Sequence, residues 1–483
     1  RGLGDVYKRQ VVAHVTDTGR LKMTYRNKTV LDISREFLNT NGVKQKTDVV
    51  IEKRNGDYFA SINKNTETLL DMGRPREAVL NELTRLNVTS NKGLSEMFDS
   101  TIGAGSVLLP WGGKYQLTPE IAMASKPPVS GETDTATISA YGCNPYLMES
   151  DAFTGSIYSI VSAVSKAVVT GADFDTISLT LQEFFKRLNG DPSRFGEPVR
   201  ALLGALYAEI GLGLAAIGGK DSMSGSFNDI DVPDTLIAFA MGTGRASRVT
   251  GNVFLKTGKL VWLPIRRDKH NVPDFEYLKR LYKKINELNA KGKILAGTVV
   301  DEGGVATAAV KSALGDGKGL EFYDFSEEYL KAFFGDILVE VDDESLFDGF
   351  DAKTVAKVTD TPKFIINDLT LRDDVAVKAF TSTLESVFPT SAYADGYTKN
   401  LGISFTKKKI CEVNVSKPRV FIPVFPGTNC EYDTAKRFRK AGAKVETFVV
   451  RNRDERDIEK SVEEIAKIIR NSQIIAFPGG FSG

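Results

Sequence analysis

Between residues 151 and 170 the chain sets Ile157, Ile160, Val161, Val164, Ala167 and Val168 at i, i+3, i+4, i+7, i+10 and i+11. That is one apolar stripe at helical spacing, and Gly171 stands where a C-terminal cap belongs. A second predicted helix, 200–214, carries Ala201, Gly204 and Ala205 for close packing and leads through 218–225 into an apolar strand at 235–241. Further on, the pattern predicts a strand at 259–263, a helix at 277–290, a strand at 294–300, a helix at 305–314 and a strand at 337–341. From 419 the rhythm becomes regular. Strands at 419–425, 445–450 and 474–477 alternate with helices at 433–441 and 458–470, the opening of a doubly wound α/β domain. Nearer the start, 11–55 reads as short β-rich runs, with a strand at 11–15 and helical spacing at 30–38. A charged connector at 55–76 and a helix at 77–86 follow. The fold class is therefore α/β and α+β multidomain.

Composition narrows the function. At 483 residues, about three domains of ~150 residues are expected. Hydrophobic residues make up 42% and charged residues 26%, which excludes a disordered chain. Lys and Arg total 63 against 62 Asp and Glu, a net charge of +1, so no nucleic-acid surface is expected, although a local anion pocket is compatible. Only two histidines occur, His14 and His270, which excludes a multi-histidine zinc site, and neither sits in a catalytic context. Cys143, Cys411 and Cys430 share no C-x-x-C spacing and fit a reducing compartment. With no apolar run of membrane-spanning length and no signal-peptide pattern, a soluble, cytoplasmic protein with no membrane partner is expected.

Gly219-Lys220-Asp221-Ser222 is the strongest local signal. Glycines let backbone N–H groups approach an anion, lysine adds a point charge, and aspartate can hold magnesium on a phosphate. The alternative is a turn that merely needs small residues. A Walker A loop is rejected, because Leu214 and Asp221 occupy the positions of its glycine and its Ser/Thr. Gly211-x-Gly213 lies inside a helical segment, so a dinucleotide fingerprint is rejected as well. Asp301-Glu302-Gly303-Gly304 offers metal-binding acids or, as the favoured reading, charge at a helix N-terminus. Cys430 follows the strand at 419–425, but no histidine comes after it to act as a base. Gly479-Gly480 is suited to present N–H groups to an oxyanion.

Ala216 through Ser224, A-I-G-G-K-D-S-M-S, closely resembles the G-K-D-S-M-S signature of phosphoribosylformylglycinamidine synthase in its large single-chain form. P-G-T-N-C at 426–430, G-G-F-S at 479–482, and the stretch from Glu132 to Pro145 agree in order, so the resemblance spans 11–483. That family uses ATP and glutamine to convert formylglycinamide ribonucleotide to the amidine in purine synthesis. The resemblance implies ATP/ADP and Mg2+ as cofactors, small-molecule substrates as partners, and a full-length protein that is a monomer. It implies Gly219, Lys220, Ser222 and Ser224 beside the nucleotide phosphates of an auxiliary site, Asp221 on the metal, and Gly479 and Gly480 in the oxyanion loop. The family's G-E-A-x-T-N helix, which supplies further ligands, reads Val161-Ser162-Ala163-Val164-Ser165-Lys166 here, so Lys166 could replace a cation. Its H-D-x-S-D-G-G turn reads Thr298 through Gly304.

The expected organisation is an artefactual 1–10, the end of a first synthetase repeat and connector at 11–76, and the two domains of a second repeat at 77–248 and 249–412. A linker at 413–418 and a truncated glutaminase domain at 419–483 complete it. Both ends read as cut, so the chain is expected to be an internal fragment, inactive alone and without catalytic residues of its own. Two competing readings are a degenerate scaffold repeat and a cyclo-ligase of the same superfamily, the latter opposed by the amidotransferase-like 419–483.

Overall fold

The computed structural model describes residues 13–40, 46–52, 58–60, 62–98, 100, 105–129, 131–391 and 415–481. The chain divides into two compact units, Arg1–Tyr393 and Ala394–Gly483. The fold is a mixed α/β multidomain one, as the sequence predicts.

In the first unit a five-stranded sheet runs in the order Met123–Ser125, Thr135–Gly142, Thr235–Arg245, Ser178–Phe184, Ala216–Lys220. Its last pair is parallel and the others are antiparallel. The predicted central helix is Ala152–Thr170, opened by the Asp151 side chain accepting from Thr154 N–H and closed by Gly171 at φ 116°. It is buried on every side except at Phe153, because the sheet covers one face and the helices Pro192–Leu212 and Phe275–Ala290 pack on others. It is long and apolar enough to cross a membrane, but 94% of that stretch is buried inside the protein, as expected of a core helix. Gly142 lets the sheet approach: a Cβ there would lie 2.1 Å from the Ser159 carbonyl oxygen. Ser159 Oγ in turn donates to the Leu236 carbonyl at 3.0 Å.

A seven-stranded sheet spans 259–372, with Ile294–Val299 at one edge and Ile337–Val341, Lys259–Leu263 and Lys353–Thr359 following it inward. Below it the Asp336 carboxylate, fully buried, accepts from Trp262 Nε1 at 2.8 Å, Ile265 N at 3.1 Å and Arg267 Nη2 at 2.7 Å. The Arg267 guanidinium lies over the rings of Phe59, Tyr158 and Phe333.

Three sequence expectations near the start are corrected. Residues 13–15 form no strand, and Val15 is fully exposed. The helical spacing at 30–38 resolves into a hairpin strand, Lys28–Ser34, followed by a short helix, Arg35–Thr40. Arg26 and Asn27 turn that hairpin at positive φ. The charged 55–76 contains a capped helix, Lys64–Asp71, started by the Asn63 side chain. The helix predicted at 200–214 begins earlier, at Pro192, where Asp191 caps it and proline at the first turn lacks only a donor the helix does not need.

The second unit has a three-stranded parallel sheet in the order Lys444–Val449, Arg419–Val424, Ile474–Ile475, with helices Glu431–Lys440 and Glu455–Arg470. Val420, Ile422 and Ala435 form its core.

Candidate functional site

Ala216–Lys220 forms a strand, an element the sequence pattern left unassigned. Ala216–Lys220 runs parallel to Ser178–Phe184, pairing Leu181 with Gly219 and Gln182 with Lys220. The glycines permit this approach: a Cβ on Gly219 would sit 2.3 Å from the Leu181 carbonyl oxygen. Gly219 therefore has a packing requirement independent of any ligand. After the strand the chain turns out, exposing Lys220, Asp221 and Ser224 and half-burying Ser222. Phe185 N–H donates to the Ser222 carbonyl at 2.8 Å, and the hydroxyls of Ser222 and Ser224 lie 2.7 Å apart. The five residues singled out here thus occupy one strand end.

Sequence reasoning missed Glu183, which stands beside this strand end. It is 5% exposed, and its Oε2 has no hydrogen-bond partner among the described residues. Burial first, and then the Asp221 carboxylate, push its carboxyl up to about 7. A signal was present, because Leu179, Leu181 and Glu183 share one side of a period-2 strand and so place an acid on an otherwise apolar face.

Glu302 does not cap its helix: the N-cap of Gly304–Leu314 is Gly303, with no side-chain cap bond. The Glu302 carboxylate instead accepts from the Tyr58 hydroxyl, from Asn144 Nδ2 at 2.9 Å and from Arg85 Nη2 at 2.7 Å. Burial pushes its carboxyl up to about 7, opposed by the Lys311 ammonium. A cavity of about 290 Å³ opens beside it, lined by Tyr58, Asn63, Arg85 and Tyr146 among others. Lys166 lies at the far end of the central helix, 3.9 Å from the Asp301 carboxylate, with its ammonium donating to the Tyr141 carbonyl at 3.1 Å. Lys166 thus meets Asp301 and Tyr141, on the side chain and carbonyl named, and not the 219–224 segment. Among the described residues no three His, Cys, Asp or Glu side chains converge as a metal cage.

His14 and His270 are exposed, and Cys411 lies outside the described residues. Burial, and secondarily Asp301, push the Cys143 thiol up to about 11, the opposite of activation.

In the second unit Cys430 is exposed at the start of Glu431–Lys440. The Gly479 carbonyl accepts from Asn429 N at 3.1 Å and from Cys430 N at 3.3 Å, while Phe481 N donates to the Gly427 carbonyl at 2.9 Å. The two loops at the carboxyl ends of neighbouring strands are thereby clasped. A Cβ on Gly480 would lie 2.3 Å from the Gly427 carbonyl oxygen and 2.8 Å from Thr428 Cα. Gly480→Ala is accordingly expected to spring the clasp. Amide exchange at Asn429 and Phe481 should accelerate at least tenfold, whereas unchanged protection would show that the loops do not depend on this approach.

These arrangements define a mixed α/β chain of two compact units, the second opening on alternating strands and helices. Residues 417–483 match the CobB/CobQ-like glutamine amidotransferase domain. The chain is PurL-like. It is 23% identical over 232 residues to phosphoribosylformylglycinamidine synthase subunit PurL of Thermoplasma volcanium, covering 48% of this chain and 29% of that protein. It is 28% identical over 102 residues to the PurL subunit of Leuconostoc mesenteroides, covering 21% and 13%. The chain therefore spans less than a third of either curated relative. Solved structures of Thermotoga maritima PurL align with it as well. The ATP complex has a TM-score of 0.44 and 15% identity, covering 71% of this chain and 49% of PurL. The FGAR complex has a TM-score of 0.46 and 14% identity, covering 71% and 47%.

Proposed function

We propose that this chain is part of an ATP- and glutamine-dependent C–N ligase that converts formylglycinamide ribonucleotide to its amidine in the cytoplasm. In that reaction glutamine yields ammonia, ATP phosphorylates the amide oxygen of the substrate, and ammonia displaces phosphate, leaving ADP, phosphate and glutamate. The observation that carries the reading is the G-K-D-S-M-S strand end in a PurL-like chain that also holds an amidotransferase segment.

Within it, residues 77–248 and 249–412 serve as the paired domains of one synthetase repeat, and 419–483 as the opening of the glutaminase. Gly219 and Lys220 take the nucleotide phosphates, aided by the Ser222 and Ser224 hydroxyls, and Asp221 holds Mg2+. An exposed carboxylate next to paired hydroxyls, with an unpartnered buried carboxylate oxygen nearby, suits a hard cation. When bound, Mg2+ neutralises phosphate charge; the protein's own part is to hold the phosphates at this strand end. Gly479 and Gly480 support the glutaminase oxyanion.

The reading is tested by supplying the intact natural polypeptide with formylglycinamide ribonucleotide, ATP and glutamine. Amidine formation is expected, falling at least tenfold in Asp221→Asn if the auxiliary nucleotide supports the working fold. No amidine from the wild type would overturn it. The second reading, a scaffold repeat without bound nucleotide, is favoured by one observation: Ser162 and Lys166 stand where the resemblance places an acid and an amide, and Lys166 is already paired with Asp301.

A further inference from the structure

Glu183 is a problem that the fold itself does not solve. A carboxylate that is 5% exposed is costly unless donors or a cation compensate it. One of its oxygens finds no donor among the described residues. The charged group that acts on it is another carboxylate, Asp221, so repulsion adds to the burial cost.

The juxtaposition is built into the backbone. Parallel pairing of Leu181 with Gly219 and Gln182 with Lys220 runs on to set Glu183 alongside Asp221, and the Phe185 N–H to Ser222 carbonyl bond holds the two strand ends together beyond that point. Gly219 has no side chain to hold the strands apart. Asp221 faces solvent while Glu183 lies inside, so an ion entering from the surface meets an exposed carboxylate first and a buried one behind it. The Ser222 and Ser224 hydroxyls, 2.7 Å apart, supply further oxygen donors at the rim.

We propose that Glu183 and Asp221 together bind one hard divalent cation, of the Mg2+ class, between the ends of the Ser178–Phe184 and Ala216–Lys220 strands. Two carboxylates with waters or phosphate oxygens completing the shell suit Mg2+, which keeps much of its hydration and takes few protein ligands. The other way to relieve Glu183 is a proton, and the two differ in what they respond to.

The proposal rests on reading 219–224 as a metal–nucleotide site, so the experiment separates the two. The full chain is titrated with Mn2+ alone, followed by electron paramagnetic resonance, for the wild type, Glu183→Gln and Asp221→Asn. One site is expected in the wild type, weakened roughly 10–100-fold in each variant. Mg2+ should raise the melting midpoint of the wild type and leave that of Glu183→Gln in place. Glu183→Gln removes a buried charge, so its metal-free midpoint should be no lower than that of the wild type; if it fails to fold, Glu183→Asp, which keeps the charge and shortens its reach, carries the same readout. Absence of a Mn2+ site in the wild type would overturn the proposal and leave Glu183 as a protonated acid. Equal Mn2+ affinity in wild type and Glu183→Gln would overturn it too. ADP binding in EDTA, measured on the same samples, reports separately on the nucleotide reading, which stands or falls without Glu183.

Discussion

Asp336→Ala is expected to cost about 3–5 kcal/mol of folding stability, read as a lowered urea midpoint at unchanged slope. Three donors converge on this one carboxylate: the Trp262 indole, the Ile265 amide and the Arg267 guanidinium. Its burial pushes the carboxyl upward, and Arg267 and the other donors work against that push. Removing the acid leaves the Arg267 side chain, 11% exposed, as an uncompensated cation among Phe59, Tyr158 and Phe333, and strands two further N–H groups. The double variant Arg267→Met/Asp336→Leu, which removes both charges and keeps volume, should recover most of the loss. A single variant as stable as the wild type would mean that water reaches the pair.

Glu120→Gln is expected to act in the opposite direction, with a gain that grows as pH rises from about 4.5 to 7. Burial pushes the Glu120 carboxyl from 4.5 to about 7, opposed by one backbone donor, Asn252 N at 3.3 Å. Between those values the folded chain holds a proton that the unfolded chain has released. Stability therefore falls as pH rises through this window, and above about pH 7 the ionised carboxylate costs on the order of 3 kcal/mol. Glutamine carries no such charge. At pH 8 the variant should be more stable by roughly that amount, and at pH 4 the gain should vanish. A gain of equal size at both values would trace the effect to packing.

Much of the fold was legible because its elements obey their periods. The stripe from Ile157 to Val168 became the core helix, and the alternating strands and helices after 419 became a parallel sheet. The strand at 216–220 went unassigned because a strand needs side chains to show its alternation, and the glycines at 218 and 219 show none. The Glu302 network was invisible because its partners, Tyr58, Arg85 and Asn144, lie 244, 217 and 158 residues away along the chain. No local pattern encodes such a meeting. Glu183 was different in kind: its place on the buried face could be read, but an acid in a strand draws no attention until its missing donors are known.

The central claim, a nucleotide site at 219–224, is tested most directly by isothermal titration of the chain with ADP and Mg2+, beside Asp221→Asn. Saturable binding to the wild type is expected, weakening at least tenfold in the variant, with both proteins folded. A folded wild type that takes up no ADP would contradict it and leave Gly219 explained by its close approach to Leu181 alone.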